Sequence, residues 1–337
     1  MEDSFVFMKG EFISSKINLE KCNILSLAKE IVMGLESKYI WSDGELIEYE
    51  KATVHMLSPA LHYGAAIFEG IRAYKTEKGS AIFRLREHAD RLIESAEIFG
   101  FRDLPFTVES ISQAIKDTVK ANGFDECYIR PLLYLQGSVA SLNIDAGKPS
   151  LLIAVWEWKN YLGEDALEKG IRANISTFTR HHPNVMMTKA KIAGNYVNSI
   201  LAKTESVRLG FEEAIMLDPQ GYVAECTGEN LFLVRRGKII TPFTAPMLEG
   251  LTRHSLQVLA NDLGYEVFEQ PVSRDQLYAA DEVFVCGTAA EVIGLSEIDF
   301  RKVGNGTTGL VTRAIQNAYH DAVRGKTPKY ESWCEFV

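Results

Sequence analysis

Apolar and polar positions recur along this chain with two different periods, and each period predicts its own elements. Ile24, Leu27, Ala28, Ile31 and Leu35 return at three- and four-residue steps, which predicts a helix over 24–37. Short apolar runs at 39–41 and 46–49 flank Asp43-Gly44, a pair suited to a tight hairpin turn. Helical patterns follow at 86–99 and 108–122, the second stopped by Asn122-Gly123. The apolar runs 127–135 and 151–156 read as buried strands. Further on, 213–217, 222–225, 231–235 and 238–241 read as a strand meander, with turns at Asp218-Pro219-Gln220-Gly221 and Arg236-Gly237. A helix at 252–263 stops at Gly264, and a strand at 282–286 and a helix at 310–323 complete the pattern.

This arrangement predicts a two-domain α/β (α+β) protein, and 337 residues is a length that suits two domains. Residues 1–38 form an extension without recognisable chemistry, and 39–154 a small α/β domain. Residues 155–167, where aromatics mix with polar residues, read as a connector to a larger domain at 168–337. The 36 Lys and Arg against 45 Asp and Glu leave a net charge of −9. That balance argues against non-specific nucleic-acid binding, which needs a basic footprint, but allows a local basic pocket. The longest stretch without a charged residue, 52–68, holds two His, a Pro and a Gly and falls short of the about 20 apolar residues of a membrane span. Glu2 and Asp3 stand where a secretory signal would be basic, so none is expected. Five widely spaced cysteines without a CxxC fit a reducing cytosol better than a disulfide frame or a zinc site.

Most motif matches dissolve on inspection. Gly304-Asn305-Gly306-Thr307-Thr308-Gly309 has the spacing of a dinucleotide fingerprint, but too little chain follows for a βαβ unit, and a turn before the last helix is the better reading. Gly325-Lys326-Thr327 lacks the earlier glycine of a P-loop, and no pair of histidines has metal-ligand spacing. Helix starts say more. Glu249-Gly250-Leu251-Thr252-Arg253 opens a helix whose free N–H groups, dipole and hydroxyl suit an anion, or form an ordinary cap. Gly287-Thr288-Ala289-Ala290, after a strand, is a second small-residue turn able to bring N–H groups to a ligand. Lys191 sits among Ala190, Ala193 and Gly194, where a flat ligand can approach; such a lysine is either a nucleophilic amine or a solvated surface residue. Glu225, at a strand end, holds a protonated ring nitrogen or caps a turn.

These signals coincide in a known pattern. The segments YIWSDGELI (39–47), ALHYGAAIFEGIRAY (60–74), REHADRL (86–92) and YIRPLLY (128–134) are followed by AKIAGNY (190–196), ECTGENLFLV (225–234), LEGLTR (248–253) and DEVFVCGTAAE (281–291). In this order and spacing the chain resembles branched-chain amino acid aminotransferases of bacterial type, pyridoxal 5′-phosphate (PLP) enzymes of fold type IV. The resemblance implies a small N-terminal α/β domain and a larger PLP-binding domain with a strand meander or pseudo-barrel. It makes Lys191 the Schiff-base lysine and proton shuttle, and Glu225 the partner of the pyridinium nitrogen. Arg91 would hold the phosphate with Gly250, Leu251, Thr252 and Thr288, and Tyr196 the phenolic oxygen. Gly287, Thr288 and Ala289 would meet the substrate α-carboxylate. Tyr63, Phe68, Trp158, Tyr161 and Tyr196 would wall the side-chain pocket, with Tyr128 and Arg130 receiving glutamate's distal carboxylate.

The implied reaction is ping-pong amino transfer between L-leucine, L-isoleucine or L-valine and 2-oxoglutarate. D-amino acid transamination and 4-amino-4-deoxychorismate lysis use the same Lys and Glu on the same fold and stay open as alternatives. The resemblance further implies a cytoplasmic homodimer, with hexamers in some bacterial branches, and a loop carrying Leu142 that reaches a neighbouring subunit's pocket. Cys226 replaces a small residue usual in bacterial members, which puts a thiol near the proposed ring site and predicts sensitivity to oxidation.

Overall fold

The computed structural model describes residues 37–137, 141–158 and 165–337. Nearly all of the helix expected at 24–37, and the connector residues 159–164 with Tyr161, lie outside these described residues. The chain opens with the hairpin β1 (Tyr39–Ser42) and β2 (Glu45–Glu48), whose turn places Asp43 at φ 47° and Gly44 at φ 109°, as an Asp-Gly hairpin requires. A short helical turn at Pro59–Tyr63 leads to β3 (Ala66–Phe68), β4 (Ile71–Thr76) and β5 (Gly79–Phe83). Helices α1 (Leu85–Phe99) and α2 (Val108–Asn122) follow, then β6 (Cys127–Gln136) and β7 (Lys148–Trp156). Thr107 and Ser110 close a reciprocal capping box at the start of α2, and Gly123 ends it at φ 73°.

The second half contains β8 (Ile171–Ile175), α3 (Tyr196–Arg208), β9 (Glu213–Leu217), β10 (Val223–Cys226), β11 (Asn230–Arg235) and β12 (Lys238–Thr241). It continues with α4 (Leu251–Asp262), β13 (Val267–Glu269), β14 (Glu282–Gly287), β15 (Glu291–Ile298), β16 (Arg301–Lys302), α5 (Leu310–Val323) and β17 (Cys334–Phe336). Gly304 and Gly306, both at positive φ, turn the chain before α5, so the fingerprint-like run is a turn.

Two sheets result. The first is antiparallel, in the order β17-β5-β4-β6-β7-β1-β2, with β3 on β6. Residues 334–336, which the sequence pattern leaves with the second domain, therefore pair with β5 in the first sheet. The apolar face of α1 and α2 covers this sheet with Leu85, Leu92, Ile111 and Ile115, all at most 2% exposed. The second sheet is mixed, in the order β10-β9-β8-β15-β14-β11-β12-β13; the four strands expected as one meander form two hairpins instead, β9-β10 and β11-β12, with β8, β15 and β14 between them. A bridge between Ile67 and Ile192 joins β3 to the segment carrying Lys191 and so ties the lysine to the first sheet.

Candidate active site

Lys191 is positioned by its backbone before its side chain does anything. Its N–H donates to Ser95 Oγ on α1 (3.1 Å), and its carbonyl accepts from the N–H of Phe68 (3.1 Å). Gly64 and Gly194 pack here so closely that a Cβ on Gly64 would lie 2.7 Å from Gly194 Cα, which is why small residues flank the lysine. The Lys191 amine donates to Tyr196 Oη at 2.7 Å and lies 5.0 Å from the centre of the Phe68 ring. Around it a cleft is lined by Arg91, Arg180, Tyr196, Glu225, Thr227–Asn230, Leu248, Gly250–Thr252 and Cys286–Thr288.

One wall is a cradle of N–H donors suited to an anion. Arg91 on α1 donates from Nε to Glu69 Oε1 (2.7 Å), from Nη2 to Glu69 Oε2 (2.9 Å) and from Nη1 to the carbonyl of Glu249 (2.9 Å). A guanidinium has five N–H groups, so five minus these three leaves two for a ligand. Glu69 is fully buried and also accepts from His88 Nδ1 at 2.7 Å. Burial would raise its pKa, but the Arg91 charge and the His88 hydrogen bond outweigh it and hold the carboxyl well below its ordinary range. Opposite Arg91, the start of α4 presents its unpaired N–H groups behind Gly250. A Cβ on Gly250 would stand 2.1 Å from Asn230 Oδ1; Asn230 in turn donates to the Leu248 carbonyl at 3.1 Å and fixes the approach to the helix.

The far wall is acidic. Glu225, 5% exposed, faces Arg180 with Nε 2.8 Å from Oε1, a charge pairing whose angle is not that of a hydrogen bond. Its pKa is raised by burial, against the pull of Arg180 and Lys191. Oε1 thus accepts no hydrogen bond although the residue is buried, and suits an N–H donor from a ring. Nearby Glu229 is pushed up to about 8 by burial and by the charge of Glu213.

A chain of aromatic contacts leads out of the cleft. Phe68 lies against Tyr196 (4.8 Å), and the Arg130 guanidinium packs over Phe68 (4.7 Å) and Tyr128 (5.2 Å) while donating to Tyr128 Oη at 3.2 Å. Trp158 stacks on Tyr128 (4.6 Å) and donates from Nε1 to the Ala289 carbonyl at 3.4 Å, which reaches the turn after β14. That turn, Thr288-Ala289-Ala290, is closed by the pair Gly287 and Glu291, with Glu291 at φ 58°. A non-glycine residue in this region costs about 1–3 kcal/mol and persists only where its surroundings hold it.

The structure thus brings together Lys191, Tyr196, Glu225, Arg91, Gly250, Leu251, Thr252, Gly287 and Thr288 in one cleft, with Phe68, Tyr128, Arg130, Trp158 and Ala289 beside it. Tyr63 is not among them: it is half exposed, and its ring meets His62. Cys226 also departs from expectation. Strand residues alternate sides, so Glu225 faces the cleft while Cys226 is buried in the core with Ile215 and Leu231, its thiol pKa raised well up by burial. The thiol lining the cleft is Cys286. Arg180, Glu69 and Asn230 escape a sequence reading because a loop arginine, an apolar-flanked glutamate and an asparagine carry no periodic signal.

This donor set fits PLP: an amine, a hydroxyl beside it, a buried carboxylate with a bare oxygen, and a cradle of one arginine and a helix start. Residues 66–298 match the Amino-transferase class IV family. The branched-chain-amino-acid aminotransferase of Pseudomonas aeruginosa is 45% identical over 298 residues, 88% of this chain and 97% of the relative. A solved branched-chain amino acid aminotransferase from T.th., complexed with N-(5′-phosphopyridoxyl)-L-glutamate, superposes with a TM-score of 0.87 at 46% identity, covering 90% of this chain and 99% of that one. The same enzyme with 4-methylvaleric acid gives a TM-score of 0.86 at 46% identity and the same coverage. The chain belongs to the class IV aminotransferases, within the branched-chain-amino-acid aminotransferase group.

Proposed function

We propose that the protein moves the amino group between L-leucine, L-isoleucine or L-valine and 2-oxoglutarate in a ping-pong cycle, with PLP as cofactor. The observation that carries the substrate class is the Arg130 guanidinium lying over Phe68 and Tyr128 at the edge of an otherwise aromatic wall. Such a wall takes a branched aliphatic chain, and its one edge charge takes a second carboxylate that would be costly to bury unpaired. The relatives' ligands agree in kind, one being a glutamate adduct and the other a branched aliphatic acid.

When bound, PLP supplies an electron-accepting ring through which an α-amino group is exchanged. Lys191 is the amine that attaches it, and the same Nζ then takes the proton from the substrate Cα. Tyr196 Oη, already accepting from Nζ, orients the amine and donates to the phenolic oxygen. Glu225 holds a proton at the ring nitrogen, and the Arg180 charge opposes the burial that raises this carboxyl's pKa. Arg91, the start of α4 and Thr288 hold the phosphate, while the Gly287–Ala289 turn meets the α-carboxylate.

We further assign the functional unit as a homodimer in the cytosol. Exposed Met56, Leu61, Val185 and Ile200 support the dimer, and the free, buried Cys127, Cys226, Cys286 and Cys334 suit a reducing compartment. Among the described residues no helix is long and apolar enough to cross a membrane.

A half-reaction followed by absorbance tests the assignment. L-leucine and L-glutamate should each convert PLP-loaded protein to the amino form, and 4-methyl-2-oxopentanoate should reverse it; Lys191→Ala should do neither. Conversion by D-alanine alone would keep the cofactor site and overturn the substrate class.

A further inference from the structure

Arg72, in Phe68-Glu69-Gly70-Ile71-Arg72, and Glu291, which ends Gly287-Thr288-Ala289-Ala290-Glu291, have no part in the roles above. They meet between the two sheets. Arg72 Nη1 lies 3.1 Å from Glu291 Oε1, with the arginine side chain 7% exposed. Its Nη2 donates to Glu126 Oε1 at 3.3 Å, and its guanidinium covers the Tyr74 ring at 4.8 Å, so the arginine is fixed from three sides.

We propose that Arg72 and Glu291 are positioning residues that set the carboxylate-binding turn Thr288-Ala289-Ala290 at a fixed distance from the side-chain wall. Three observations converge on this. Glu291 closes the turn by pairing with Gly287, and does so at φ 58°, where glycine is at ease and glutamate has to be held. Its side chain is held by Arg72, from the other sheet. On that sheet Arg72 stands directly across the strand pair from Tyr128, the residue that carries Arg130 and stacks on Trp158. One arginine therefore ties the site for the α-carboxylate to the wall for the rest of the substrate. The inference rests on the carboxylate role proposed for the turn.

The test measures binding as well as turnover. In Arg72→Met and Glu291→Gln, KM should rise about tenfold for L-leucine and L-glutamate alike, because both bring an α-carboxylate, with kcat changed less. The apoenzyme's dissociation constant for PLP should move less, by under about threefold, since Arg91 and α4 stay in place and Thr288 alone of the phosphate contacts lies on the turn. Calorimetry on loaded protein should show about a tenfold loss of affinity for 4-methylvaleric acid and none for 4-methylpentan-1-ol, which lacks the carboxylate. Glu291→Gly guards against misfolding, because glycine takes φ 58° freely while the ion pair is lost; it should show the same selective loss. Unchanged acid affinity in all three variants overturns the inference, as does an equal loss of acid, alcohol and PLP. If the wild-type protein binds the acid no better than the alcohol, or loses the acid only in Arg130→Gln, the carboxylate reading of the turn fails with it.

Discussion

At the scale of single residues, two of the buried carboxylates in and around the site have opposite electrostatics. Glu69 is surrounded by Arg91 and His88, and stays charged in a place where a lone carboxylate could not. Glu229 lies beside Glu213 and accepts from the Gly228 N–H at 3.1 Å, and burial and its acidic neighbour push it up to about 8. The folded protein therefore holds a proton on Glu229 at neutral pH that the unfolded chain, titrating at the ordinary carboxylate value, has released. Folding then binds a proton across the interval from about 4.5 to about 8, and stability falls as pH rises through it. Glu229→Gln mimics the protonated form and removes this dependence. Thermal unfolding of apoprotein should show the variant more stable than wild type at pH 8, by on the order of 4 kcal/mol, with the gap closing toward pH 5. A gap that is constant with pH would mean that Glu229 is ionised throughout.

At the scale of elements, local rules decide most of the scaffold and little of the site. Helix α2 runs over 108–122 as its pattern predicts because cap, apolar face and terminal glycine agree. The strands at 213–217 and 238–241 keep their predicted bounds for the same reason, with Gly237 and Arg236 both at positive φ in the turn between β11 and β12. Helix α3 is hidden in the sequence because its pattern is inverted: Val197, Ile200 and Leu201 are exposed, whereas the buried positions are Ser199, Ala202 and Ser206. Strands β4, β8 and β15 are hidden too, since polar residues interrupt their apolar runs. Of the site, the roles of Lys191 and Glu225 are legible only through family resemblance, because partners such as Ser95 on α1, Phe68 on β3 and Arg180 in a loop lie far from them in the chain. Glycines show how an element serves the site. A Cβ on Gly70 would fall 2.0 Å from Tyr128 Oη, while the Tyr128 ring is wedged between Trp156 and Trp158. Gly70→Ala should therefore displace the hydroxyl that orients Arg130 and raise KM for L-glutamate about tenfold, with L-leucine affected less. Equal effects on both substrates in steady-state assays would refute that account.

At the scale of the whole molecule, the inverted helix becomes informative. Val197, Ile200 and Leu201 on α3 are 46–60% exposed, and Leu61 and Val185 exceed that at 68% and 73%. They lie near one another, since Gly64 packs on Gly194 just before α3 and Asn195 donates to the Met187 carbonyl. A monomer rarely leaves so many large apolar side chains in one region open to water. Tyr63 is half exposed in the same region, outside its own cleft, which a covering subunit would explain. The helix that begins at Tyr196 also links this surface to the Lys191 amine, through the tyrosine hydroxyl that orients it. Subunit contact should therefore support activity as well as solubility. Ile200→Glu combined with Leu61→Arg places charges in a desolvated contact, at a cost of several kcal/mol if the contact forms. Sedimentation should then show a single-chain mass near 37.7 kDa where the wild type sediments at twice that or more, and activity should fall with the dimer fraction. If the double variant keeps the wild-type mass, the apolar face of α3 lies outside the subunit contact.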